Sequence, residues 1–224
     1  MQQVKGLITI AACALAASTL PAGPAQAELS ANIGVVSNYY FRGFSESDNG
    51  AAVQGGLDYE HGSGFYLGTW ASNVDFGDGT SYELDLYLGF AKELDNGFGY
   101  DFGFLYYAYP DAPGSADFAE LYGEFSYSLF SAGVNWTVLD SSDSVLESGD
   151  LYFHAGLDVP LNEDFGFGLL VGRTQFDDSD RNYTHYRASL TRDTDQFGSF
   201  GFHLEYEDTF QKDLKAWVGW NIDF

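Results

Sequence analysis

A closed antiparallel transmembrane β-barrel of about twelve strands is the all-β fold class that this sequence predicts. Three observations predict it. Alternation with period two recurs from Glu28 to Phe224, with no sustained three- and four-residue spacing. The more apolar parity of each alternating run carries no charge before the strand rims, in a chain that is 19% charged. Short and longer connections alternate between the runs. The stretch "SYELDLYLGF" shows the pattern: Tyr82, Leu84, Leu86, Leu88 and Phe90 share one face, while Glu83, Asp85, Tyr87 and Gly89 share the other. In a soluble β fold the apolar face would be the core, and the outer face should be rich in Lys, Thr and Gln. Here the second face is rich in Gly, Ala, Tyr and acids, with very few Lys. An Arg or Lys at mid-bilayer costs a barrel roughly 2–4 kcal/mol, so a lipid-facing set excludes charge.

Residues 1–27 are expected to be a cleaved signal peptide. Lys5 gives a basic start, "GLITIAACALAASTL" is the apolar run, and Ala25 to Ala27 ("AQA") is a small-residue cleavage site before Glu28. The run is too short to span a bilayer. A lipoprotein reading at Cys13 competes weakly, because the apolar run continues past that residue. Cys13 is the sole cysteine, so the barrel expected over residues 28–224 has no disulfide. No helix-length apolar run follows the leader. The net charge is −24, and −25 without Lys5 (eight Lys+Arg against thirty-three Asp+Glu). That balance excludes nucleic acid as a partner, and the 18% of aromatic residues argues against disorder.

The strands are expected at 29–41, 51–60, 65–74, 82–92, 98–109, 118–128, 130–139, 151–161, 165–174, 183–192, 198–207 and 214–224. "HGSG", "ELDNG", the near-absent link at Ser128 to Phe130, "LNED" and "DTDQ" are the short connections. "GFSESDNG", "DFGDGT", "PDAPGSA", "DSSDSVLESG" and "QFDDSDRN" are mostly longer and acidic, with "DTFQKD" the least clear case. Short periplasmic turns with longer extracellular loops are how outer-membrane barrels are built, which puts both termini on the periplasmic side. Outward aromatics then fall into two girdles. Tyr59, Phe65, Phe90, Phe98, Tyr100, Tyr127, Phe130, Phe165, Phe167, Phe200 and Trp220 lie near the short-turn end. Tyr39, Phe41, Tyr82, Tyr106, Trp136, Tyr186 and Tyr206 lie near the long-loop end. Arg173 and Arg192 keep the outward parity only at strand ends, where they can reach headgroups.

The last strand alternates through Leu214, Ala216, Val218, Trp220, Ile222 and Phe224. Bacterial outer-membrane barrels commonly end this way, and the resemblance implies recognition by the barrel-assembly machinery. The chain also resembles the TorF-like porin family of proteobacterial outer-membrane proteins. The stretches "SNYYFRGFSESDNGAAVQGGLDYEH", "GFYLGTWASNVDFG", "YELDLYLGF" and "YDFGFLYYAYP" carry that resemblance. It implies a barrel and passive transport in the outer membrane of a Gram-negative bacterium, with no established substrate.

The inward parity predicts the lumen. Its acids are Asp58, Glu60, Glu83, Asp85, Asp101, Glu120, Glu124, Asp158, Glu205, Glu207 and Asp223, and its bases are Arg42, Arg187 and Lys215. Glu83, Asp85, Asp101, Glu120 and Glu124, on the fourth to sixth strands, are expected to form an unneutralised acidic wall. His185, Arg187, His203, Glu205, Glu207 and Lys215 should form a charge-paired wall opposite. Rings of acids favour cations, so a narrow, cation-preferring passive channel for small solutes is expected. A closed barrel serving as anchor or adhesin is the alternative, because twelve strands lie between filled and open barrels. An outer-membrane lipid-modifying enzyme is the weaker alternative, since no nucleophile motif accompanies the histidines. No metal or other cofactor is expected: the histidines lack ligand spacing, and the acidic loops lack a calcium-loop pattern. "GFGYDFG" and "GFGLLVG" lie inside strands and are not nucleotide loops. The expected partners are outer-membrane lipid, lipopolysaccharide, the assembly machinery and small solutes or cations.

Overall fold

The computed structural model describes residues 27–194 and 196–224. The expected leader, Ala25 included, lies outside the described residues, whereas Ala27 and Glu28 begin the first strand. Fourteen strands follow: β1 (Ala27–Val36), β2 (Tyr40–Phe41), β3 (Phe44–Ser45), β4 (Ala52–His61), β5 (Phe65–Asn73), β6 (Tyr82–Glu93), β7 (Phe98–Ala108), β8 (Phe118–Tyr127), β9 (Phe130–Asp140), β10 (Leu151–Pro160), β11 (Phe165–Gln175), β12 (Tyr183–Thr194), β13 (Gly198–Glu207) and β14 (Lys215–Asp223). One 3₁₀ turn at Ser179–Arg181 interrupts the β structure. All but β2 and β3 form one closed, twelve-stranded antiparallel barrel in sequence order.

The ring closes where β1 pairs with both β4 and β14. Val35 stands opposite Val53 on one side and Trp220 on the other. Beyond the end of β14 the seam continues, with the Phe224 N–H donating to Ala31 O at 2.8 Å and the Ala31 N–H to Phe224 O at 3.2 Å. Closure leaves no unpaired barrel edge, the condition for a sheet to sit in hydrocarbon. The outer wall is apolar: Ile33, Leu57, Leu86, Phe102, Phe125, Phe153, Leu169, Leu190 and Val218 are all exposed. The inner wall is packed instead. Tyr66, Tyr87, Leu105, Tyr107, Tyr109, Phe118 and Leu146 form a buried cluster along its β5–β8 side.

Two local departures from strict alternation matter. The expected strand 29–41 stops at Val36, because the chain leaves the wall and folds residues 38–47 into the barrel. Ser37 Oγ accepts from the Val218 N–H at 3.0 Å at the point of departure. Tyr39 and Phe41 therefore do not join the outward girdle. Their rings lie against Trp70 (5.5 Å between centroids) and Tyr107 (5.7 Å). The second departure is an irregularity between β8 and β9, where Ala119 pairs with Leu139 but Glu120 with Thr137. The extra residue, Val138, hands the outward position to Leu139, which is exposed, while Thr137 turns inward and is buried.

Candidate functional site: a lumen in two halves

The inserted segment is a two-residue hairpin, Phe41-Arg42-Gly43-Phe44. Arg42 has φ 46° and Gly43 φ 97°, positive at both central positions as the tight primed turn requires. Only glycine fits the second position, since a Cβ there would lie 2.8 Å from His185 Cβ. The turn delivers the Arg42 guanidinium to the middle of the long-loop half of the lumen.

There Arg42 donates Nη1 and Nη2 to both carboxylate oxygens of Glu120, at 2.8 and 2.7 Å. It also lies 4.1 Å from the centroid of the Tyr152 ring. Asn135 Nδ2 (2.9 Å) and Tyr107 Oη (3.3 Å) complete the shell of Glu120. A second cluster faces it. Arg187 Nε donates to Glu205 Oε2 at 2.5 Å, and His185 Nδ1 lies 2.9 Å from Glu205 Oε1. Tyr152 Oη meets His185 Nε2 at 2.9 Å, so one polar chain crosses the lumen from β8 through the hairpin to β10, β12 and β13. His203 stacks on Trp217 at 3.8 Å, and Tyr40 covers the other part of that wall. Arg42, Glu83, Asp85, Glu120, His185, Arg187, Glu205 and Glu207 are each at most 4% exposed, so this layer holds a packed charge network. Glu83 receives the Tyr39 hydroxyl at 3.4 Å. Glu207 accepts the backbone N–H groups of Thr209, Phe210 and Gln211, ordering the turn above it.

The short-turn half is built differently. Its inward carboxylates are Glu28, Asp58, Glu60, Glu93, Asp101, Glu124, Asp158, Asp193 and Asp223, and no Lys or Arg shares the inward positions at this depth among the described residues. Asp101 and Glu124 are direct cross-strand partners on β7 and β8. Tyrosine hydroxyls stand in for cations: Tyr66 donates to Asp101 at 2.6 Å and Tyr87 donates to Asp58. His154 Nδ1 is 3.8 Å from a Glu124 oxygen. These tyrosines lie flat because each stands opposite a glycine: Tyr66 faces Gly89, Tyr87 faces Gly68, and Tyr122 faces Gly103. A Cβ at any of the three glycines would overlap the facing ring. Of the glycines of "GFGYDFG", Gly103 thus belongs to the wall's packing, Gly99 faces Ser126, and Gly97, with φ 79°, serves the turn before β7.

The sequence-predicted residues are redistributed accordingly. Glu120, expected on the unneutralised wall, is paired by Arg42 from the hairpin. Glu83 and Asp85 share its buried layer, whereas Asp101 and Glu124 stand in the lower half. Arg187 reaches Glu205 as expected, but Lys215, half-buried, points to the exposed Asp213 at 3.6 Å. Tyr152, Tyr107 and Trp217 were missed as parts of the network, and only their inward parity marked them. Among the loops, the Ser81 hydroxyl and N–H hold the Asp111 carboxyl below its ordinary range, at 2.5 and 3.1 Å. No cluster of three or more metal-ligating side chains occurs among the described residues.

Comparison with known proteins bears on the fold. The family Gcw_chp, described as a bacterial protein of unknown function, matches residues 20–221. The KdgM porin, solved in complex with disordered oligogalacturonate, superposes with a TM-score of 0.56 at 6% identity, covering 89% of this chain and 98% of that one. The NanC porin superposes with a TM-score of 0.51 at 12% identity, covering 88% and 98%. Identities this low show a shared barrel fold and nothing finer. No curated protein matches the sequence.

Proposed function

The chain belongs to the Gcw_chp family of bacterial proteins, and from that premise we propose that it is an outer-membrane porin: a narrow, cation-preferring passive channel for small solutes. The sequence resemblance to TorF-like porins and the likeness of the barrel to two porins support the channel reading. The observation that carries the cation preference is the Asp101–Glu124 pair. Like charges directly opposite each other across a strand pair destabilise a sheet. A permeant cation passing between them relieves that repulsion, and a permeant anion meets it. The lower lumen is then a vestibule, and the Arg42 hairpin is the constriction above it.

The packed upper layer also favours a second reading, a closed barrel acting as a membrane anchor, because its side chains leave little room beside the hairpin. Single-channel recording in a planar bilayer separates the two. The channel reading expects discrete conductance steps and a reversal potential of cationic sign in a salt gradient. Silence of a correctly assembled, heat-modifiable barrel leaves the anchor, and a reversal potential of anionic sign refutes the cation preference.

A further inference from the structure

The outer wall leaves one arginine unused. Among the described residues Arg42, Arg181, Arg187 and Lys215 form ion pairs, and Arg173 donates to Thr184. Arg192 forms no ion pair there, is exposed, and faces outward near the short-turn end of β12. It stands in register between Phe165 on β11 and Phe200 on β13, with its guanidinium 5.6 Å from the Phe165 ring centroid.

A groove of about 530 Å³ opens beside it on the outer wall, lined by Leu190, Phe200, Phe202, Val218, Trp220 and Val35 among others. The groove follows the cross-strand row Phe165, Arg192, Phe200, Trp220, Val35. Four strand spacings of about 4.8 Å make that row roughly 19 Å long. The hydrocarbon half of a bilayer is roughly 15 Å deep. Barrel strands tilt by about 35–45°, so a row running across them climbs from the rim toward the membrane interior. Its mouth is cationic and its walls are apolar. A second outer groove of about 500 Å³, lined by Leu157, Leu169, Val171, Ala188 and Leu204, has no outward cation at its mouth, since Arg187 beside it points inward to Glu205.

We propose that Arg192 and the first groove form a binding site for one glycerophospholipid of the periplasmic leaflet, with the phosphate on the guanidinium and an acyl chain along the groove. The chain's net charge of −24 disfavours anionic headgroups generally, so an unpaired cation with an apolar groove beside it marks a place for them; Lys92, also outward at the short-turn end, lines neither groove. The leaflet follows from placing the short turns on the periplasmic side.

The full-length protein, extracted from membranes in mild detergent and supplied with phosphatidylglycerol, tests this by native mass spectrometry. The parent should retain one lipid. Arg192→Gln, which removes the charge, and Val218→Trp, which fills the groove, should each lower occupancy at least tenfold while remaining heat-modifiable. Arg173→Gln and Ala188→Trp, which fills the second groove, should leave occupancy unchanged. Retention by Arg192→Gln at the parental level overturns the site, as does equal loss in Ala188→Trp, which would mean lipid coats the wall indiscriminately. Displacement of the lipid by millimolar inorganic phosphate alone would reduce the site to an anion contact and overturn the acyl groove. A heat-modifiable parent that retains no lipid overturns the proposal and leaves the barrel untouched.

Discussion

The two halves of the lumen are lined by the same inward parity of the same twelve strands, and both are rich in carboxylates. In the long-loop half Glu120 and Glu205 meet Arg42, Arg187 and His185 at hydrogen-bond distance, Glu83 and Glu207 accept from the Tyr39 hydroxyl and from backbone N–H groups, and all four are almost wholly buried. In the short-turn half Asp58 and Asp101 meet tyrosine hydroxyls, and no Lys or Arg shares the depth of the lower carboxylates among the described residues. Removing water from a charge costs several kcal/mol, so burial demands the close, bidentate geometry that Arg42 supplies. Where the lumen stays wetter, a carboxylate can remain without a base and act on passing ions. An acid in a barrel wall is therefore structural or functional according to its depth against the inserted hairpin, and the side of the ring it occupies matters less.

The largest effect should come from breaking the upper half. Arg42→Met leaves Glu120 buried without its cation, at a cost of about 3–5 kcal/mol, read as lower resistance to urea in detergent and a lower temperature for the heat-modified gel shift. The double variant Arg42→Met with Glu120→Leu should recover most of that loss, because no orphaned charge remains. Both should raise single-channel conductance if the hairpin is the constriction. A single variant as stable as the parent would show the pair to be incidental.

Gly43→Ala comes next. It forces a side chain into the left-handed region and against His185, which should cost about 1–3 kcal/mol in the same urea titration. An unchanged midpoint would mean that the hairpin tip is not seated on the wall.

The lower half should answer in the opposite sense. Asp101→Asn with Glu124→Gln removes a like-charge pair and should leave stability unchanged or raise it by less than about 1 kcal/mol. Cation preference should fall clearly at low salt and little at high salt, where charges are screened already. Glu205→Gln should leave the reversal potential alone while lowering stability. If Glu205→Gln shifts selectivity and the lower pair does not, the two halves have been assigned the wrong way round.

The smallest effect belongs to Lys215→Gln. Its partner Asp213 is exposed, and such surface pairs are worth about 0–1 kcal/mol, so urea midpoint and selectivity should both stay close to parental. A loss comparable with that from Arg42→Met would mean that Lys215 reaches into the network after all.

Much of this architecture could be read locally. Tyr82, Leu84, Leu86, Leu88 and Phe90 declare a lipid face without reference to any other strand, because hydrocarbon excludes charge one residue at a time. The hairpin was harder to read. "YYFRGF" continues the alternation of the strand before it, and its turn signal, Arg-Gly, is weaker than the Asn-Gly or Asp-Gly of typical two-residue hairpins. Nor does any local pattern announce the extra residue Val138, which shifts the parity of β9 against β8.

The sequence by itself determined the twelve barrel strands, the alternation of loop lengths and the sorting of most strand side chains to wall or lumen, the hairpin and Val138–Leu139 excepted, since period-two geometry and the solvent on each face act within a single strand. Only the tertiary structure decided which lumen charges are matched. Arg42 and Glu120 are 78 residues apart and meet because the barrel closes around an inserted loop. Pairing across a lumen depends on ring closure, register and the path of a loop. These arise only once all twelve strands are in place.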